Sequence, residues 1–130
     1  MILGTVQFGQ NYGIANFSNK SDKKNIFKIF EYAISKGVCH FDTAPSYKTE
    51  NLIGEFIKTN KLQKIVKISS KIPSLKFCKN KKFFILNSIE NSIKKSNTYI
   101  DNFFFHDQKD INFFLNNLDF IEDIKKKIFH

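Results

Sequence analysis

The sequence predicts an α/β fold built from parallel strand–helix units, and three observations predict it. Short apolar runs rich in β-branched and aromatic residues alternate with longer stretches patterned at helical spacing, four times along 130 residues. The segments that follow the apolar runs carry Gly, Pro, Asp, Tyr, Lys and His, whereas the segments that follow the helical stretches are short. No long linker, low-complexity tract or short repeat interrupts this order. Alternation of this kind makes βαβ units with right-handed crossovers. Four units fit half of a (β/α)8 TIM barrel, or else a small open doubly wound sheet. No GxGxxG or P-loop follows any strand, which weakens the nucleotide-binding form of the open sheet.

Taken in order, Ile2–Phe8 reads as a short extended stretch, followed by the turn-rich Gly9-Gln10-Asn11-Tyr12-Gly13. Ser21 is suited to cap a helix running to about Lys36, with Ile26, Ile29, Phe30, Ala33 and Ile34 on one face and Gly37 as its stop. Val38–Asp42 is a compact apolar strand, and Thr43–Tyr47 is a loop containing Pro45. Thr49 can cap a second helix that turns Leu52, Ile53, Phe56 and Ile57 inward. Ile65–Ser70 is a third strand ending at Lys71, before Pro73. A third helix spans about Lys79 to Lys95 and buries Phe83, Leu86, Ile89 and Ile93 or close neighbours. Tyr99–Phe105 is a fourth strand whose Phe103-Phe104-Phe105 run suits coverage on both faces. The tail from Asp110 to Lys127 is helical, with Ile111, Phe114, Leu115, Leu118, Ile121 and Ile124 available for burial.

Composition narrows the classes of function. Hydrophobic residues make up 42%, enough for the core of one domain. No apolar run approaches the ~18 residues of a membrane helix, and the N-terminus lacks the basic and apolar regions of a secretory signal. Cys39 and Cys78 form no zinc-ligand spacing; Cys39 reads as a buried free thiol, and a reducing, cytoplasmic setting is expected. The net charge is +9, yet every basic residue is lysine, scattered in short runs, with no arginine for bidentate phosphate or guanine contacts. Phe, Ile and Asn are over-used in parallel, as an A/T-rich coding sequence would produce. The charge therefore reads as solvated helix faces, with no nucleic-acid partner and no membrane partner.

Four ionisable residues fall where such a fold does chemistry. Asp42 ends the second strand, Tyr47 lies just after it, Lys71 ends the third and His106 ends the fourth. In a parallel barrel all four gather at the C-terminal face. Together they make a proton donor to a carbonyl. A phenol titrates near pH ~10, and a neighbouring ammonium favours its anion. A carboxylate holds that ammonium charged and aimed, and a neutral imidazole can donate to the same substrate oxygen. No metal is needed. His40 and the terminal His130 read as structural, and Asp101 as a side chain that bonds backbone near the start of the fourth strand.

Leu3-Gly4-Thr5-Val6-Gln7-Phe8-Gly9 with Tyr12-Gly13-Ile14 resembles the opening strand and loop of the aldo-keto reductases. Gly37-Val38-Cys39-His40-Phe41-Asp42-Thr43-Ala44-Pro45-Ser46-Tyr47, then Glu50-Asn51-Leu52-Ile53-Gly54, is similar to that family's most recognisable segment. Ser69-Ser70-Lys71 and Tyr99-Ile100-Asp101 through Phe105-His106 match the next two landmarks in order. The resemblance implies Tyr47 as general acid, Lys71 as the partner that eases loss of its proton, Asp42 as the lysine's counter-ion and His106 as the residue orienting the carbonyl. It implies that Gly4 and Thr5 border the nicotinamide of NADPH, with Asp42 close to its ribose, and that the substrates are aldehydes and ketones, or alcohols in reverse.

Family members are roughly twice this long and form a complete barrel. The parts that stack the nicotinamide and grip the adenosine phosphate belong to strands five to eight, beyond the match. A chain truncated before strand five is the expectation, and with it an alternative function as a non-catalytic remnant or a half-barrel interaction module. Unpaired edges on strands one and four would favour self-association or a complementary half-barrel.

Overall fold

The computed structural model describes residues 1–10 and 22–128. Four strands, β1 (Leu3–Gly4), β2 (His40–Asp42), β3 (Lys67–Ile72) and β4 (Asn102–Phe105), form one sheet in the order β1-β2-β3-β4. Every neighbouring pair is parallel. A doubly wound sheet reverses its strand order at a switch point. This sheet adds each strand beside the last, as a barrel does, so the fold is half of a (β/α)8 barrel rather than an open doubly wound sheet.

The helices are α1 (Val6–Gly9), α2 (Lys23–Ser35), α3 (Glu50–Thr59), α4 (Lys81–Ser96), α5 (Ile111–Leu115) and α6 (Leu118–Ile128), with 3-10 turns at Pro45–Tyr47 and Gln108–Asp110. No helix among the described residues is long and apolar enough to cross a membrane. Because strand side chains alternate between faces, Phe41, Ile68 and Ile72 enter the core on the helix side. His40, Asp42, Ser69 and Lys71 leave from the other face, where they bond one another. Two clusters fill the helix side. One joins Ile26, Phe30, Phe41, Ile53, Phe56, Ile57 and Ile68, and the other joins Ile72, Leu75, Ile85, Ile89, Phe114 and Ile124.

Most expected elements are present, and their boundaries move for identifiable reasons. The first extended stretch is short because Val6–Gly9 turns helical, with the Phe8 N–H returning to the Thr5 carbonyl at 3.0 Å. Ser21 lies outside the described residues; the cap of α2 is Asp22, whose side chain accepts from the Asn25 N–H at 2.8 Å. Gly37 does end α2, at φ 77°. Its N–H reaches the Ile34 carbonyl and that of Val38 reaches the Ala33 carbonyl, both at 2.9 Å. This left-handed stop uses the backbone of Val38, so β2 begins only at His40. In the same way Ile65 and Val66 bond back to Leu62, which delays β3 to Lys67; its other end pairs with β4 as far as Ile72, one residue past Lys71.

The inward face of α4 is rotated from the expected one. Ile85, Ile89, Ser92 and Ser96 are buried, while Phe83 is 67% exposed. The Phe103-Phe104-Phe105 run is not covered on both faces: β4 is the sheet edge, and Phe104 is 53% exposed. Phe105 instead lies against Phe114, ring centroids 4.0 Å apart. The tail is two helices rather than one, since the Asn117 side chain caps the Phe113 carbonyl at 2.7 Å and competes with helix continuation. Phe114 and Ile124 are buried there, but Ile111, Leu115 and Leu118 are exposed. Cys39 is a free thiol as expected, half-buried rather than buried.

Ser96 carries a buried hydroxyl with no hydrogen-bond partner among the described residues. An unpaired buried polar group costs about 1–3 kcal/mol relative to its apolar counterpart. Ser96→Ala is therefore expected to raise the unfolding free energy by up to about 1 kcal/mol. Urea titration would reveal it, and a drop in the midpoint would show that the hydroxyl does find a partner.

Candidate active site

The register of the sheet assembles the site. Asp42 lies opposite Ser69, so Lys71, two residues further along β3, leaves the same face one step above it. Lys71 Nζ donates to both carboxylate oxygens of Asp42 at 2.8 Å and to the Thr43 carbonyl at 3.0 Å. Those three acceptors use the three N–H bonds of the ammonium and fix it in place. The side chains keep 18% and 31% of their exposure, so the pair is only partly shielded from water. Breaking a shielded pair from one side strands the other charge, which makes the two residues interdependent.

Tyr47 reaches this ion pair from the turn after β2. Pro45 opens the 3-10 turn, the Tyr47 N–H returns to the Ala44 carbonyl at 3.0 Å, and Lys48 closes it in a left-handed conformation at φ 61°. Lys71 Nζ then stands 4.7 Å from the centroid of the Tyr47 ring, within cation–π range. The turn is also held from the end of α1: Gln10 donates its side-chain N–H to the Ser46 carbonyl, and Gly9 packs so closely that any Cβ there would collide with the Tyr47 carbonyl.

His106 follows β4 directly. Its N–H donates to the Ile72 carbonyl at 3.0 Å, which continues the ladder by one residue and places the imidazole at the exposed rim. The Tyr47 and His106 rings meet edge to face with centroids 6.2 Å apart. Asp42, Tyr47, Lys71 and His106 are thus gathered at the C-terminal end of the sheet, as their strand positions anticipated. Gly4 stands beside Asp42 by register, with nothing among the described residues within 4 Å of the position a Cβ would occupy. Thr5 is fully buried behind it.

The hydrogen bonding of three buried hydroxyls and a buried carboxylate around the site had no signature in the sequence. Thr5 donates to the Asp42 carbonyl at 2.9 Å, Thr49 lies 2.9 Å from Thr5, and Thr43 lies 2.7 Å from Thr49. Each hydroxyl has one proton. If Thr5 gives its proton to Asp42, Thr49 must give to Thr5 and Thr43 to Thr49, so the chain runs in one direction. Thr49 thus stands at the start of α3 as expected, but its side chain serves this relay instead of capping the helix. Glu50 is the carboxylate, and Ser70 donates to it at 3.0 Å. Apart from Thr43 and Thr49, the partners lie 20 to 44 residues apart, which is why local patterning is silent about them. Asp101 bonds the Ile68 N–H at 2.8 Å, the backbone role expected of it, and His40 pairs with Ser69 at 2.7 Å. Beside His106, Asp107 caps the 3-10 turn at Gln108–Asp110. The Lys109 N–H it accepts holds its carboxyl below the ordinary carboxylate value. Among the described residues no three His, Cys, Asp or Glu side chains gather as a metal site would require.

The model of the aldo/keto reductase family matches residues 1–128. Among solved structures, a Pseudomonas aeruginosa protein provisionally named an aldo-keto reductase is 24% identical, with a TM-score of 0.76 over 97% of this chain and 51% of its own. A thermostable aldo-keto reductase in complex with the inhibitor epalrestat is 29% identical, with a TM-score of 0.63 over 80% of this chain and 36% of its own. The Bombyx mori aldo-keto reductase in complex with NADP is 24% identical, with a TM-score of 0.57 over 78% of this chain and 32% of its own. The chain therefore spans about half the length of the first of these, and less of the others. No curated protein matches it in sequence.

Proposed function

The chain belongs to the aldo/keto reductase family, and from that premise we propose that it carries the proton-donating site of a nicotinamide-dependent carbonyl reductase. The observation that carries this reading is the ammonium of Lys71, pinned by Asp42 and set beneath the Tyr47 ring at 4.7 Å. Tyr47 is the general acid: its hydroxyl gives a proton to the oxygen of an aldehyde or ketone as the carbon is reduced. The Lys71 ammonium favours the phenolate left behind, and Asp42 keeps that ammonium charged and aimed. His106, at the rim and facing the tyrosine ring, donates a ring N–H to the same oxygen and sets the direction of approach.

NADPH is the cofactor that suits this reading. The open space at Gly4, next to Asp42, fits the flat end of a nicotinamide. Gly4, Thr5 and Asp42 would hold that end, Thr5 from behind through its bond to the Asp42 carbonyl. Bound reduced nicotinamide supplies the hydride that turns carbonyl to alcohol. We place the protein in the cytoplasm, where its two free cysteines suit the reducing conditions.

The exposed edge of β4 favours a second reading, in which these residues work only when further strands, whatever chain supplies them, pair along that edge. One titration separates the two. The purified chain is mixed with NADPH and followed by nicotinamide fluorescence. Saturable binding at micromolar cofactor, weakened by Asp42→Ala, is the expected result. No binding up to millimolar cofactor would sink the first reading for the chain by itself.

A further inference from the structure

Glu50 is a buried carboxylate that, among the described residues, makes no hydrogen bond to Asp42, Tyr47, Lys71 or His106. It opens α3, where the helix dipole favours a negative charge. Its Oε1 accepts from the Ser70 hydroxyl at 3.0 Å, and its Oε2 lies 3.8 Å from the half-exposed Lys95 ammonium. Burying a carboxylate on this little compensation is costly, and an apolar side chain would fill the place without that cost.

What the bond joins explains the carboxylate. Only Lys48 and Thr49 separate Glu50 from Tyr47; Lys48 is set at φ 61°, and the Thr49 hydroxyl is pinned between Thr5 and Thr43. Ser70 is the residue immediately before Lys71, on the opposite face of β3. A single buried hydrogen bond thus links the short, stiff stretch that carries Tyr47 to the strand that carries Lys71. It ties α3 to β3 at the end next to Tyr47, beyond the core packing of Ile53 and Ile57 with Ile68, and so bears on how the tyrosine ring sits over Nζ. We propose that Glu50, through Ser70, is a positioning residue for the Tyr47–Lys71 pair. The proposal rests on the reading of that pair as acid and partner.

The test is proton NMR of the 130-residue chain, reading the ε-methylene protons of Lys71. The Tyr47 ring above them displaces these protons upfield, and reversion in Tyr47→Leu identifies the displacement. Ser70→Ala and Glu50→Ala are expected to lose most of it while amide resonances of α2 and β2 stay in place. Glu50→Gln is expected to retain it, because the amide oxygen still accepts from Ser70. An undiminished displacement in Ser70→Ala overturns the proposal, and so does a Glu50→Gln variant that loses it as fully as Glu50→Ala. Should Glu50→Ala not fold, Ser70→Ala and Glu50→Gln decide the matter between them. Failure to bind NADPH would overturn the catalytic reading without moving this resonance, so the two can fail separately.

Discussion

Phe30→Ala is expected to lower the unfolding free energy by about 3–5 kcal/mol, the range for truncating a fully buried aromatic. Phe30 has no exposed surface and sits at the centre of an aromatic group. Its ring centroid lies 4.9 Å from Phe41, 5.2 Å from Phe56 and 5.5 Å from Phe8. Those rings belong to β2, α3 and α1, so the cavity would open where three separate elements meet α2. Edge-to-face pairs add about 0.5–1.5 kcal/mol each beyond burial, and the neighbours cannot collapse into the space without leaving one another. Against a total of about 5–15 kcal/mol for an ordinary domain, this is a large fraction of the whole. Circular dichroism during urea titration would measure it. A loss under about 1 kcal/mol would mean that the phenylalanines are loosely rather than specifically packed.

Tyr47→Phe is expected to lower kcat for aldehyde reduction by about 10²- to 10⁴-fold, the usual worth of a positioned general acid. The substitution is narrow: it deletes one oxygen, keeps the ring, and so leaves both the contact with Lys71 at 4.7 Å and the packing against His106 in place. NADPH affinity should stay within a factor of about two, since the change removes no cofactor contact in the proposed site. Steady-state kinetics with a simple aldehyde, in whatever assembly of the chain turns over, would check both numbers. Equal activity in wild type and variant would remove Tyr47 from the mechanism while leaving family membership untouched.

Much of the site was legible because its residues sit at strand ends, and strand ends can be located from a single sequence. Apolar runs bounded by Gly, Pro and Asp set Asp42, Lys71 and His106 at equivalent positions, and a parallel sheet brings equivalent positions together. Asp101 was readable for the same reason. The errors also have a common cause. The short reach of β1, the late start of β2 and the broken tail each follow from a single backbone or side-chain bond, to Thr5, Ala33 and Phe113 respectively. Periodicity reports which face is apolar, not which N–H group has already been claimed by a turn.

The sequence by itself determined the alternation of strands and helices, the family and the identity of the ionisable residues at the strand ends. These depend on patterns within a few turns or strand lengths of chain. Only the tertiary structure decided the sequential strand order, the exposure of the Phe104 edge, and the buried partnerships of Thr5 with Thr49 and of Glu50 with Ser70. Burial and hydrogen-bond pairing between residues 20 or more positions apart depend on where whole elements pack, and no local pattern of side chains encodes that.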